Sequence, residues 1–156
     1  MMNLKQVSIN TALPGKPRAR ILIIYTGGTF GMTYDRDGVL IPFDFTYILD
    51  QLPTLKNLPL EITAFSFENP IDSSNITIEH WQLIGKIIFD QYDRQDGFVV
   101  LHGTDTMAYT TSALSFMLEG LSKPVVFTGA QLPISEPRSD ARENLITALD
   151  IASASK

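Results

Sequence analysis

Ile21-Leu22-Ile23-Ile24-Tyr25-Thr26-Gly27-Gly28-Thr29 is the stretch on which the fold turns. Five apolar or aromatic residues in a row read as a strand buried on both faces, as in the middle of a parallel sheet. Two glycines flanked by threonines then break it. Glycine permits positive φ and lets backbone or ligand come close. Thr26 and Thr29 are therefore expected at the carboxyl end of a central strand, where open α/β sheets bind ligands. Alone, Thr-Gly-Gly-Thr is most often a plain turn; its weight comes from repetition of the pattern.

Glu61 to Phe67 alternates like a second strand and ends in Asn69-Pro70-Ile71-Asp72-Ser73-Ser74-Asn75. Gly97 to Leu101 reads as a third, buried strand leading into His102-Gly103-Thr104-Asp105-Thr106, and Pro124 to Thr128 as a fourth ending at Gly129. Between them, Thr77 can cap a helix carrying Ile78, Trp81, Ile84, Ile88 and Tyr92. Met107, Thr110, Leu114, Met117 and Leu121 space a second helix, and Ala141, Leu145, Ala148 and Ala152 a last one. Met32-Thr33-Tyr34 and Val39-Leu40-Ile41 flank an Asp-Gly turn, a hairpin that would hang over the first strand end. Phe45, Ile48, Leu49 and Leu52 suggest a short helix stopping before Pro53. Strands alternating with helices imply right-handed parallel βαβ units. The expected fold is a single α/β domain over 19–156, with a three-layer, doubly wound, mainly parallel sheet of Rossmann or flavodoxin type. Residues 1–18, with Pro14, Gly15 and Pro17, read as a loose lead-in.

Composition narrows the function. The chain has 156 residues, 44% of them hydrophobic, enough for one domain with its own core. Lys+Arg 12 against Asp+Glu 17 gives a net charge of −5 without a basic stripe, which argues against nucleic acid. With Cys 0 there are no thiol nucleophiles or thiolate metal sites. His80 and His102 lie far apart, so a metal site would need carboxylates alone and none is expected. No long apolar run suggests a signal peptide or membrane span, and a cytoplasmic location is expected.

Thr29 is the candidate nucleophile, since a strand-end hydroxyl can attack a carbonyl if a base takes its proton; a turn threonine bonding its own backbone is the plainer reading. Thr104 and Asp105 could simply cap a helix, or Asp105 could receive a substrate ammonium. Asp72, Ser73 and Ser74 could be loop solvation. Together these residues suit an α-amino acid, whose ammonium needs an anion and whose carboxylate needs hydroxyl or N–H donors. His102 is left out as structural, and Arg138 and Asp140 as a pair or a helix start. Neither a Gly-x-Ser-x-Gly elbow, a Walker loop nor a Gly-x-Gly-x-x-Gly fingerprint occurs.

Tyr25-Thr26-Gly27-Gly28-Thr29-Phe30-Gly31-Met32, Asp72-Ser73-Ser74, Leu101 to Thr110, Thr128 to Pro133 and Arg138-Ser139-Asp140 resemble the signatures of the bacterial type I (cytoplasmic) L-asparaginases. The resemblance runs from about residue 19 onward. It implies hydrolysis of L-asparagine to L-aspartate and ammonia without a cofactor. Thr29 would be the nucleophile, Thr104 part of a second threonine set that positions or activates the attacking species, and Asp105 the ammonium's partner. Asp72, Ser73 and Ser74 would hold the α-carboxylate and ammonium. It also implies an amino-terminal domain of a longer chain, with a catalytic lysine and a second domain beyond residue 156, so these residues alone are expected to be weakly active or inactive. Apolar surface left uncovered by that second domain points to self-association into an oligomer. One departure is Leu40, where many relatives carry a tyrosine before Ile-Pro; Tyr34 is the nearby phenol that could replace it. An amino-acid-binding module and an asparaginase-like amidotransferase component are the alternatives.

Overall fold

The computed structural model describes residues 4–9, 15–42, 52, 55 and 57–154. Its centre is β2 (Ala19–Gly27), whose Ile21 to Tyr25 are 0% exposed. β5 (Leu60–Ile71) pairs parallel to β2 on one side and β6 (Gly97–Leu101) on the other; β7 (Val125–Thr128) pairs parallel to β6. β1 (Leu4–Ile9) adds to the free edge of β5 in the antiparallel sense, Val7 opposite Ala64. The order is β1-β5-β2-β6-β7. The expected loose lead-in thus contains a strand. Its Leu4-Lys5-Gln6-Val7 run has little apolar alternation, and its place comes from the ladder offered by β5 rather than from burial.

The two faces are covered differently, which gives the three layers. Leu22, Ile24, Phe98 and Val100 point to one face, where α1 (Ile78–Gln91) brings Ile84, Ile87 and Ile88 and α2 (Met107–Met117) brings Leu114. The two helices are tied by Trp81 Nε1 donating to the Thr110 hydroxyl at 2.9 Å. At the start of α1 the Thr77 amide donates to His80 Nδ1 at 3.0 Å, so the cap expected at Thr77 forms with His80 closing it. Ile21, Ile23, Tyr25, Val99 and Leu101 point to the opposite face, against Ala141, Leu145, Ala148 and Leu149 of α3 (Ala141–Ala152). Each large side chain so buried contributes roughly 1.5–3 kcal/mol. The start of β6 touches α3 directly: a β-carbon on Gly97 would fall 2.1 Å from the Ala152 carbonyl oxygen.

β3 (Met32–Tyr34) and β4 (Leu40–Pro42) form the hairpin, with Tyr34 opposite Leu40. Asp35 organises its turn: its carboxylate accepts from the Asp37 and Val39 amides at 2.9 and 2.8 Å, and Gly38 has φ 77°. The helix expected over Phe45 to Leu52 lies outside the described residues save Leu52, which is buried.

Candidate active site

All four parallel strands end on one edge of the sheet, and the chain leaves β2 toward β5 on one side and β6 toward β7 on the other. The strand order reverses beside β2, which is where open α/β sheets place their ligands. The turns after these strands lock together through glycine. Gly27 (φ 136°) lies against Ile71 at the end of β5, and a β-carbon there would be 2.2 Å from the Ile71 carbonyl oxygen. A β-carbon on Gly28 (φ 82°) would be 2.6 Å from the Gly103 α-carbon, and one on Gly103 would be 2.5 Å from Ser73 Oγ. Gly129 is pressed against the His102 carbonyl and Thr104 Cγ2 in the same way. The turns carrying Thr29, Ser73 and Thr104 are therefore in mutual contact, because their contact points lack side chains.

Thr29 opens a short 3-10 turn, Thr29–Gly31, directly after Gly28. Among the described residues its hydroxyl has no hydrogen-bond partner, so it does not bond its own turn. Thr26, by contrast, is 1% exposed and donates to the Leu101 carbonyl at 3.0 Å, stitching β2 to β6. Thr104 and Asp105 cap nothing: the residue preceding α2 is Thr106, and its hydroxyl donates to the Ser73 carbonyl at 2.7 Å. Asp105 is exposed, and its carboxylate has neither hydrogen bond nor ion pair among the described residues. Its charge faces open solvent at the entrance to a helix.

Asp72 behaves differently. Its carboxylate accepts from the Ser74 amide at 2.9 Å and the Ser74 hydroxyl at 2.8 Å, and these bonds hold its pKa below the ordinary carboxylate range. Asp72 is thus anionic at neutral pH and fixes the loop. Ser73 is buried, its side chain wedged against Gly103.

The loop after β7 is braced by groups whose partners the sequence does not reveal. Asp140 accepts from the Gln131 amide at 3.1 Å and the Leu132 amide at 3.2 Å, and from Asn144 Nδ2, which also donates to the Gly129 carbonyl at 2.9 Å. Burial pushes the Asp140 carboxyl up, but these donors outweigh it and hold it below its ordinary value. Among the described residues no ion pair joins Asp140 to Arg138; of the two expected readings the helix start holds, Asp140 directly preceding α3, while its carboxylate clamps the loop. The Ile134 amide meets the Phe30 carbonyl at 3.4 Å, which seats the clamped loop beside the Thr29 turn. The four-residue spacing of Asp140 and Asn144 could have signalled one helix face, but their acceptor and donor partners are set only by the tertiary fold.

The chain is thus a mainly parallel α/β domain with the Thr29 hydroxyl and the Asp105 carboxylate partnerless among the described residues at its strand ends, the edge at which sheets of this class bind ligands. Comparison with known proteins narrows this class. Residues 20–156 match the family described as "Asparaginase, N-terminal". The chain is 46% identical to L-asparaginase 1 of Escherichia coli (strain K12) over 134 residues, which are 85% of this chain and 40% of that protein. L-asparaginase I from Vibrio cholerae superposes with a TM-score of 0.79 at 46% identity, covering 86% of this chain and 41% of that one. A glutamyl-tRNA(Gln) amidotransferase component from Thermoplasma acidophilum is 37% identical over 93% of this chain and 35% of its own length. The chain belongs to the asparaginase amino-terminal family, and it spans about 40% of the length of the two asparaginases.

Proposed function

We propose that the protein hydrolyses L-asparagine to L-aspartate and ammonia, with the Thr29 hydroxyl as nucleophile. The observation that carries this reading is the partnerless Thr29 hydroxyl on a turn in contact with the Thr104 turn. Thr29 Oγ attacks the side-chain amide carbon, its proton passing to a base. The tetrahedral intermediate expels ammonia as the amide nitrogen gains a proton, and water then cleaves the Thr29 ester to give aspartate. Asp105, exposed and unpaired among the described residues, receives the substrate ammonium. Asp72, Ser73 and Ser74 receive the α-carboxylate and ammonium, and Thr104 positions the attacking species. No side chain bonds the Thr29 hydroxyl among the described residues, and the lysine that the family resemblance places beyond residue 156 is the base of this reading.

Self-association and a cytoplasmic location belong to the same reading. The former is supported by Phe89, Phe116 and Met117, which are 79%, 83% and 45% exposed on α1 and α2. The test is ammonia release from asparagine by the purified protein extended through the second domain, and by its Thr29→Ala variant. Turnover is expected to vanish with the melting temperature unchanged; near-normal turnover in Thr29→Ala overturns the nucleophile assignment. The similarity to an amidotransferase component favours a second reading, in which the amide nitrogen is delivered to a tRNA-linked acceptor. Ammonia release that becomes dependent on such an acceptor would select it, and aspartate binding without any release would select a binding module.

A further inference from the structure

His102 lies immediately before the Gly103-Thr104-Asp105 turn and has no part in the reaction above. It is 1% exposed, with its ring tilted against Phe127 at a centroid distance of 6.3 Å. Its Nδ1 is 2.7 Å from the Gly103 carbonyl oxygen. A carbonyl oxygen only accepts, so Nδ1 carries the proton and, in the neutral ring, Nε2 is a bare acceptor. Nε2 is buried without a hydrogen-bond partner among the described residues. A second proton would put a charge and an unmet donor in that place, and burial accordingly lowers the imidazole pKa. An apolar side chain would fill the same space without an unmet polar atom. What the imidazole supplies is therefore the Nδ1–H bond.

That bond has a consequence for the next peptide. The chain contains no cis peptide among the described residues, so the Gly103 carbonyl and the Thr104 N–H point in opposite directions across one rigid plane. With the carbonyl turned toward the buried ring, the N–H is turned away from it. Among the described residues this N–H has no acceptor. Gly28 against Gly103, and Thr104 Cγ2 against Gly129, leave the peptide little room to rotate.

We propose that His102 is a positioning residue: by holding the Gly103 carbonyl inward, it presents the Thr104 amide as a donor to the oxygen of the scissile carboxamide. The proposal rests on the asparagine-hydrolysis reading, and two measurements separate their fates. The first is kinetic. His102→Leu keeps the bulk and loses the donor, so kcat is expected to fall about 100-fold, the scale of one lost oxyanion donor, with KM within a few-fold. His102→Asn places an amide N–H near Nδ1 and is expected to restore most of kcat. A purely structural histidine would lower the melting temperature of both variants and leave the kcat of the folded fraction alone. Unchanged kcat in His102→Leu, or equal loss in both, overturns the proposal.

The second measurement needs no turnover. In 15N-labelled protein the His102 ring is expected as the neutral Nδ1–H tautomer at neutral pH, with its titration displaced below that of an ordinary histidine. The Thr104 amide resonance should keep its position in His102→Asn. An Nε2–H tautomer at neutral pH overturns the proposal even if His102→Leu fails to fold. Protein extended through the second domain that the resemblance implies, releasing no ammonia while showing this tautomer and amide, would defeat the hydrolysis reading and leave the clamp standing.

Discussion

Gly103→Ala is expected to damage the domain through a single contact. Gly103 has no positive φ, so alanine brings no backbone strain there and the cost is steric. The added carbon would sit 2.5 Å from Ser73 Oγ and 2.6 Å from Ser73 Cβ, distances that real β-carbons do not tolerate. Ser73 is 4% exposed and its carbonyl is held by the Thr106 hydroxyl, so it has little freedom to withdraw. Overpacking of this kind costs about 1–3 kcal/mol. At about 2–4 °C per kcal/mol for a chain of this size, the melting temperature should drop by roughly 2–12 °C. Ser73→Gly removes both clashing atoms and on its own costs about 0.5–1 kcal/mol from added chain freedom. The double variant should therefore be more stable than the sum of the single losses by about 1 kcal/mol or more, read as urea midpoints at unchanged m. Additive losses would refute the contact between these strand-end turns.

Asp105→Asn keeps the shape and loses the charge, so aspartate affinity measured by calorimetry should fall about tenfold with the melting temperature unchanged; unaltered affinity would remove Asp105 from the ammonium site. Asp140 has a folded-state pKa below its unfolded value, so the stability it adds is present above the unfolded pKa, near 4, and is lost as pH falls through the lower folded value. Asp140→Asn should accordingly flatten the acid limb of the stability curve, and an unchanged acid limb would contradict the loop clamp. Tyr34 is 47% exposed opposite Leu40 on the hairpin. If it replaces the tyrosine of the related enzymes, Tyr34→Phe should lower kcat at least tenfold, and a full rate would show that the hairpin phenol is dispensable.

Much of this architecture is legible in the chain because the parallel strands advertise themselves. Ile21 to Tyr25 and Phe98 to Leu101 are uninterrupted apolar runs, and a strand buried on both faces can carry nothing else. The polar turns are equally visible, since Gly27, Gly28, Gly103 and Gly129 mark backbone approaches that no other residue permits. β1 is hidden because an edge strand half in solvent shows little pattern and is recruited by a partner far along the chain, β5. β5 itself runs on to Ile71, through Asn69-Pro70, where composition suggests a stop; a register shift between Tyr25 and Gly27 lets the strand continue alongside. Asp140 misleads for a related reason. A carboxylate between an arginine and a helix suggests both a pair and a cap, while its real partners are backbone amides that only the folded loop brings near.

The central position of β2 also sets how the chain must fold. Its hydrogen-bonding neighbours arrive late: β5 supplies one side, and Leu101 of β6, whose carbonyl receives the Thr26 hydroxyl, lies 75 residues further along. Such distant pairings carry a large loop-closure cost before they return any energy, which makes parallel sheets slow to form. During synthesis, then, this apolar strand emerges before either neighbour, with both edges open until β5 is made and one edge still open until the chain has been made past residue 101. In that interval it is a sticky strand, a target for chaperones and for other nascent copies, and refolding yield should fall steeply with protein concentration.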